Sequence, residues 1–337
     1  MSRFRNLGVY AGVAAAIVLL FFVPTISGGS TFILFTATSI FFYINLCQTF
    51  RFINLTSDWS FAHVTVMGMG AYASALLAIK AGWPFLACFF TASLVSVAIC
   101  LPIYALSFKT KGETFFWLTW AIGEVIRQVW IRFKNPFGGD AGLGNIPKIV
   151  ISLPGLRVEF LSQVPYYYMG LVLTVVTNAF LYAVEKSRIG LNFKVIASNS
   201  DLASSLGINV FRHRMLAVVI ASFFVGFNGS FYAHWIGFLS PRDYGLSFLL
   251  LTLLYVIVGG RQTIWGAVMG VTAFYLLNLQ LKPFQQYILA VYGGVLILVL
   301  AFFSDGLEGL VKLVASLFKR VFGRKRVATE GLPLNRR

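Results

Sequence analysis

Six residues could do chemistry in this sequence, because they interrupt runs that are otherwise apolar. Asp58, Ser60 and His63 fall close together in TSDWSFAHVTVMGMGAY, and Thr119, Glu124 and Arg127 share a second run. Glu124 and Arg127 are three apart, which places them on one face of a helix. Ionisable side chains at membrane depth are costly, so each set marks either a polar pathway or an internal pairing. For Asp58 and His63 two readings fit: a cavity or broken helix beside such a pathway, or an interfacial helix start with Asp58 among the headgroups. For Glu124 and Arg127 the readings are a helix–helix ion pair or a role in gating. His234, near the end of another run, reads as an interface residue. No His/Asp/Glu cluster has the spacing of metal or hydrolytic chemistry, which argues against a membrane-embedded enzyme. Cys47, Cys88 and Cys100 suit neither a disulfide framework nor zinc, and read as buried small hydrophobes. There is no GxxxxGK[ST] phosphate loop; GGDAGLGN (138–145) lacks the lysine. If ATP drives this protein, a different chain binds it, and no cofactor is expected.

A second constellation suggests docking. Between two apolar runs lies EKSRIGLNFKVIASNSDLASSLGINVFRHR, a polar and basic stretch. Asn199 or Ser200 can cap a short helix there, and Asp201 puts negative charge in its first turn. Leu202 and Leu206 are four apart on one face, with Ala203 between them, and Gly207 supplies the stop. A small amphipathic helix between two spans suits contact with a soluble partner.

These residues must be positioned by membrane-spanning helices. Of 337 residues, 58% are hydrophobic and 11% charged, and mean hydropathy is +0.81. A span needs about 20 apolar residues. The apolar runs predict an all-α polytopic protein with ten spans, at 8–26, 31–50, 60–79, 83–107, 114–133, 165–185, 214–237, 243–259, 263–281 and 285–303. The spans at 60–79, which begins with polar residues, and 243–259, which is short, are the weakest. The first run is too long for a cleaved signal, and Val23-Pro24-Thr25 lacks a small-residue cleavage pattern. Gly68, Gly70, Ala71 and Ala73 form a small-residue face for close helix approach, and Gly266 and Gly270 form GxxxG.

Net charge is +16, and its placement sets orientation. Arg3, Arg5, Arg51, Lys109, Lys111, Lys186, Arg188, Lys194, Arg212, Arg214 and Arg261 fall on alternate loops; with the basic tail they predict an N-in, C-in chain. Lys80, Arg132, Lys134, Lys148, Arg157, Arg242 and Lys282 fall on the other side. No basic soluble domain exists, so nucleic acid is not an expected partner. The domain plan is a transmembrane domain over 1–304, with an outer loop at 134–164 and a cytoplasmic loop at 186–213. A basic amphipathic tail over 305–337 should lie along anionic lipid. In the outer loop, KIVIS and LRVEF flank Leu153-Pro154-Gly155, which predicts a small extracytoplasmic β-hairpin.

Six motifs in order resemble the membrane subunits of branched-chain amino-acid ABC importers, the Liv type. NLTSDWSFAHVTVMGMGAYASALLA (54–78) is similar to G-x-x-G-Q-x-S-L-G-H-A-x-F-x-G-x-G-A-Y, with Ser60, His63, Gly68, Gly70, Ala71 and Tyr72 matching. KGETFFWLTWAIGEVIRQV (111–129) resembles R-G-x-Y-F-A-I-x-T-L-A-x-x-E-x-x-R through Gly112, Phe116, Thr119, Glu124 and Arg127. FGGDAGLGNIP (137–147), SRIGLNFKVIASNSDLASSLGIN (187–209), VGGRQTIWGAVMG (258–270) and FFSDGLEGL (302–310) resemble four further family stretches, the second being the coupling segment. The departures are Asp58 for glutamine, Ala62 for glycine, and Ala197, Ser198 and Ser200 where Arg, Glu and Glu are usual.

The resemblance implies a permease subunit in the bacterial inner membrane, not an enzyme. It implies a second homologous permease, two ATP-binding subunits and an extracytoplasmic substrate-binding protein as partners. The solute would be a branched-chain amino acid or another small polar solute such as urea or an amide. Residues 199–203, 206 and 207 would then contact the ATPase, and Asp58, Ser60, His63, Thr119, Glu124 and Arg127 are the candidates for the path. The alternative is a stand-alone ion-coupled secondary transporter, for which Glu124 is the firm mid-span carboxylate.

Overall fold

The computed structural model describes residues 12, 15–110, 112–153, 156–281, 287–302 and 306–309. Their helices are α1 Thr31–Asn54, α2 His63–Ala81, α3 Phe85–Ser107, α4 Glu113–Arg132, α5 Gln163–Lys186, α6 Arg188–Ser198, α7 Ser200–Ser205, α8 Val210–Ile236, α9 Leu246–Gly259, α10 Ile264–Leu281 and α11 Ile288–Phe302. Two strands, β1 Val150–Leu153 and β2 Leu156–Glu159, pair antiparallel in the register Val150↔Glu159 to Leu153↔Leu156. The hairpin predicted around Leu153 is therefore present.

Among the described residues, six helices (α1, α2, α3, α5, α8 and α10) are long and apolar enough to cross a bilayer. The chain is an all-α polytopic membrane protein. The apolar runs expected as spans coincide with helices, with three differences. The run at 114–133 is α4, which carries Glu113, Glu124, Arg127 and Arg132 and is less apolar than the six. Among the described residues, the runs at 243–259 and 285–303 give helices of 14 and 15 residues, with 285, 286 and 303 outside the description. The span at 8–26 lies only partly within the described residues, and nearly all of the 305–337 tail lies outside them.

The first compact unit, residues 1–252, is built on α2, α3 and α8, which pack most closely, with α1 joined to α5 and α8. Small residues allow this. A Cβ on Gly229 would lie 2.2 Å from the Met67 carbonyl, and one on Gly70 would lie 2.9 Å from Gly226 Cα. Hydroxyls satisfy carbonyls across the seams: Ser96 Oγ donates to Val66 O (3.1 Å) and Ser93 Oγ to Phe223 O (2.9 Å). Such contacts matter in a membrane, where apolar burial against apolar lipid gives helices little reason to associate.

In the second unit, residues 253–337, α10 lies against the end of α9. A Cβ on Gly270 would meet Tyr255 O at 2.2 Å, so the GxxxG pair serves packing. Thr263 N donates to the Glu308 carboxylate (3.1 Å).

Candidate functional site

The polar stretch after α5 is almost wholly helical. Ser187 Oγ accepts from Ile189 N (3.2 Å) and starts α6, whose Gly190, Phe193 and Ile196 face inward. Asn199, rather than Ser200, caps α7: its Oδ1 accepts from Asp201 N and Leu202 N, both at 2.9 Å. Asp201 sits in the first turn, where the helix dipole favours negative charge. The end of α7 is a complete Schellman closure, with Ile208 N donating to Ala203 O (3.0 Å) and Gly207 N to Ser204 O (3.0 Å). Gly207 has φ of +81°, which a side chain with Cβ adopts at a cost. Asn209 Oδ1 then accepts from Arg212 N (2.9 Å) and starts α8. Ala203 is buried, whereas Leu202 and Leu206 are 55% and 67% exposed.

Two buried ion pairs underlie α6 and α7. In the first, Arg51 Nη2 donates to Glu185 Oε2 (2.6 Å) and Arg51 Nε to Gln48 Oε1 (3.0 Å). It ties the last turn of α1 to the last turn of α5, and Lys194 of α6 reaches Glu185 Oε1 at 3.7 Å. In the second, Arg214 of α8 binds both oxygens of Asp58, with Nε to Oδ2 at 2.6 Å. Thr56 Oγ1 also donates to Asp58 Oδ2 (2.7 Å). The Arg214 guanidinium lies over Phe108 at 4.6 Å and near Phe115 at 5.8 Å. Beside this pair opens a cleft of about 490 Å³ that reaches α6 and α7 through Ile196, Asn199 and Ser204. Asn192 to His213 (3.0 Å) adds a direct α6–α8 contact.

The sequence places Arg51 and Arg214 among the loop charges, and both instead belong to helices. Arg51 is fully buried inside α1, and Arg214 is a turn inside α8 with most of its side chain covered. Asp58 is buried and ion-paired to Arg214. Glu185 has no part in the sequence expectations, yet Asp58 and Glu185, 4% and 7% exposed, are both buried far more deeply than Glu124 at 28%. The only local signals were the carboxylate of Glu185 at a span end and an arginine inside an apolar run.

The other candidates fall into two places. Ser60 hydroxyl bonds Tyr104 hydroxyl, Phe61 N donates to Thr119 Oγ1 (3.2 Å), and His63 Nε2 meets Thr49 Oγ1 (2.9 Å). Asp58, Ser60 and Phe61 lie in the non-helical entry to α2, and these bonds hold that entry and His63 at the start of α2 against α1, α3 and α4. Glu124 and Arg127 lie further along α4 and pair with each other within that one helix, at 2.8 and 2.5 Å, with Gln128 donating to Glu124 as well. They are 28% and 18% exposed. The pair is intrahelical, so it does not join two helices. Among the described residues, no group of three His, Cys, Asp or Glu could hold a metal ion.

At the hairpin end of this unit, His234 links three elements. Its Nε2 meets Ser74 Oγ (3.0 Å) and its Nδ1 meets Pro147 O (2.8 Å). Nearby, the Leu143↔Leu239 bridge is reinforced by Arg242, which donates to Asp140 at 2.9 and 2.6 Å. This contact holds the Asp140 carboxyl below its ordinary range.

Residues 32–300 match the family model described as branched-chain amino acid transport system / permease component. The chain is 23% identical over 258 residues to the high-affinity branched-chain amino acid transport system permease protein LivM of Salmonella typhimurium, covering 71% of this chain and 61% of that protein. The LivM protein of Escherichia coli is 22% identical over 258 residues, with the same coverage of 71% and 61%. The galactose/methyl galactoside import permease protein MglC of Haemophilus influenzae is 31% identical over 128 residues, 35% of this chain and 37% of that protein. The match thus spans about three fifths of the length of each LivM relative. No solved structure matches the chain.

Proposed function

Because this chain belongs to the branched-chain amino acid transport system / permease component family, we propose that it is the membrane-spanning permease subunit of an ATP-binding-cassette importer. It works in the bacterial inner membrane with a second homologous permease, two ATP-binding subunits and an extracytoplasmic substrate-binding protein. Its solute is a branched-chain amino acid or a related small polar molecule. The chain crosses the bilayer ten times, N-in and C-in, with the α6–α7 end in the cytoplasm.

One observation carries this reading. A six-residue helix, capped by Asn199 and closed at Gly207, presents two leucines to solvent between two long apolar helices. A free loop gains nothing from such a stripe, whereas a helix seated in a groove of a soluble partner does. The permease itself does no covalent chemistry. Closure of the ATPase pair pushes on α7. The displacement passes to α8 through the short Gly207–Asn209 connection, and to α1 and α5 through α6, whose Lys194 meets Glu185. Tilting of these helices exposes the solute path alternately to the two sides.

The test is copurification of the ATPase with the full chain. Leu206→Asp places a charge in the contact, and Gly207→Val strains a left-handed position. Both should lose the ATPase while still inserting and folding. Cysteine labelling should reach Gly144 from outside and Asn199 only from inside. Retention of the ATPase and wild-type uptake by both variants would refute the docking role, and outside labelling at Asn199 would overturn the topology.

A further inference from the structure

The cleft beneath α6 and α7 has no assigned role, and its chemistry is selective. Its volume of about 490 Å³ falls in the ~300–1,000 Å³ range of small-molecule sites. Asp58 and Arg214 form part of its wall. Each has a hold that does not depend on the other: Asp58 keeps the Thr56 hydroxyl, and Arg214 keeps the rings of Phe108 and Phe115. The pair can therefore part without leaving either side chain bare of partners.

Charge restricts what could enter between them. An anion on Arg214 would leave the Asp58 carboxylate uncompensated, and a cation on Asp58 would strand the guanidinium. A neutral amide or urea replaces neither charge. A ligand that carries both an ammonium and a carboxylate restores both pairings at once, which a buried charged site requires. Ile196, Val210 and Phe211 line the same cleft and offer apolar surface for a side chain, while Asp201 stands exposed at the rim.

We propose that this cleft binds a small zwitterionic amino acid, whose carboxylate takes Arg214 and whose ammonium takes Asp58 as their mutual ion pair opens. That this ligand is the transported solute on its arrival side rests on the importer reading; the binding chemistry does not. The bound molecule lies against residues of α6 and α7, so accumulated solute acts on the segment that meets the ATPase, and restrains further uptake.

The experiment uses Ser198→Cys in the full chain, purified in lipid nanodiscs. Ser198 lines the cleft and the three native cysteines are buried, so the new thiol is the accessible one. Maleimide labelling is timed with L-leucine, 4-methylpentanoate, isoamylamine or urea present. L-leucine at ten times its Kd should slow labelling about tenfold, and the two single-charge analogues and urea should not. Asp58→Asn and Arg214→Gln, each in the S198C background, should abolish the protection. If either variant misfolds, the ligand series on the single variant still decides. No protection by L-leucine, or equal protection by a single-charge analogue or urea, overturns the site. Failure of the wild-type chain to copurify an ATPase would overturn the importer reading alone, and the protection pattern would stand.

Discussion

Glu185→Gln removes the charge that compensates Arg51, and the structure sets the size of the effect. Arg51 is fully buried and Glu185 is 7% exposed. After the substitution the guanidinium keeps its Gln48 contact and a neutral amide, with no carboxylate in reach. Breaking a buried pair from one side costs about 3–5 kcal/mol, or roughly 100- to 3,000-fold in an unfolding equilibrium at about 1.4 kcal/mol per decade. Arg51→Met should cost a similar amount by stranding Glu185, which would keep only Lys194. That lysine is half exposed at 3.7 Å, so Lys194→Met should cost no more than ~1 kcal/mol. Arg51 Nη1 has no hydrogen-bond partner among the described residues, so the pair is incompletely satisfied. Replacing both members, Arg51→Met with Glu185→Leu, should therefore recover most of the loss. Unfolding in mixed micelles of the wild type, Arg51→Met, Glu185→Leu and the double variant, analysed as a double-mutant cycle, measures this coupling. A Glu185→Gln cost below about 1 kcal/mol, or a double variant no better than the worse single one, would refute the argument that this pair clamps α1 to α5.

Gly229→Val should destabilise the α2–α8 seam by about 1–3 kcal/mol, read from the same unfolding assay, because its Cβ would meet Met67 O at 2.2 Å. Glu124→Ala should cost less than Glu185→Gln, about 1–3 kcal/mol for lost charge-assisted hydrogen bonds, since the pair is partly exposed. Equal costs for the two would mean that α4 is buried against a partner. The Asp140–Arg242 contact depresses the Asp140 pKa, so its contribution is complete above the ordinary carboxylate value and fades as pH falls through the lowered folded value. Hydrogen-exchange protection at Leu143 and Leu239 should stay constant from pH 8 to pH 5, where the contact is intact, and weaken below about pH 4; Arg242→Gln should show the weakened protection throughout.

The local features of this chain were legible in its sequence, and the distant pairings were not. The cap at Asn199, the stop at Gly207, the hairpin around Leu153 and the Glu124–Arg127 pair all depend on residues within a few positions of one another. Arg51 finds its partner 134 residues away and Asp58 finds Arg214 after 156, and no periodicity encodes either choice. Charge counting places Arg51 and Arg214 in loops, because an arginine at a helix end contributes to loop bias whether it is solvated or buried. The helix at 188–198 was overlooked although Ser187, Ile189, Phe193 and Ile196 have the cap and spacing of one; the basic residues around them read as a loop. The cleft beside Asp58 is assembled from four separate chain segments, so only three-dimensional packing reveals it.

The glycine seams among α2, α3 and α8 also limit where water can flow. Where Gly229 meets Met67 and Gly70 meets Gly226, main chain lies on main chain, with no intervening side chain to swing aside. A pore could open there only if whole helices separated, breaking the Ser93 and Ser96 crosslinks as they went. The triangle of these three helices is thus a closed wall.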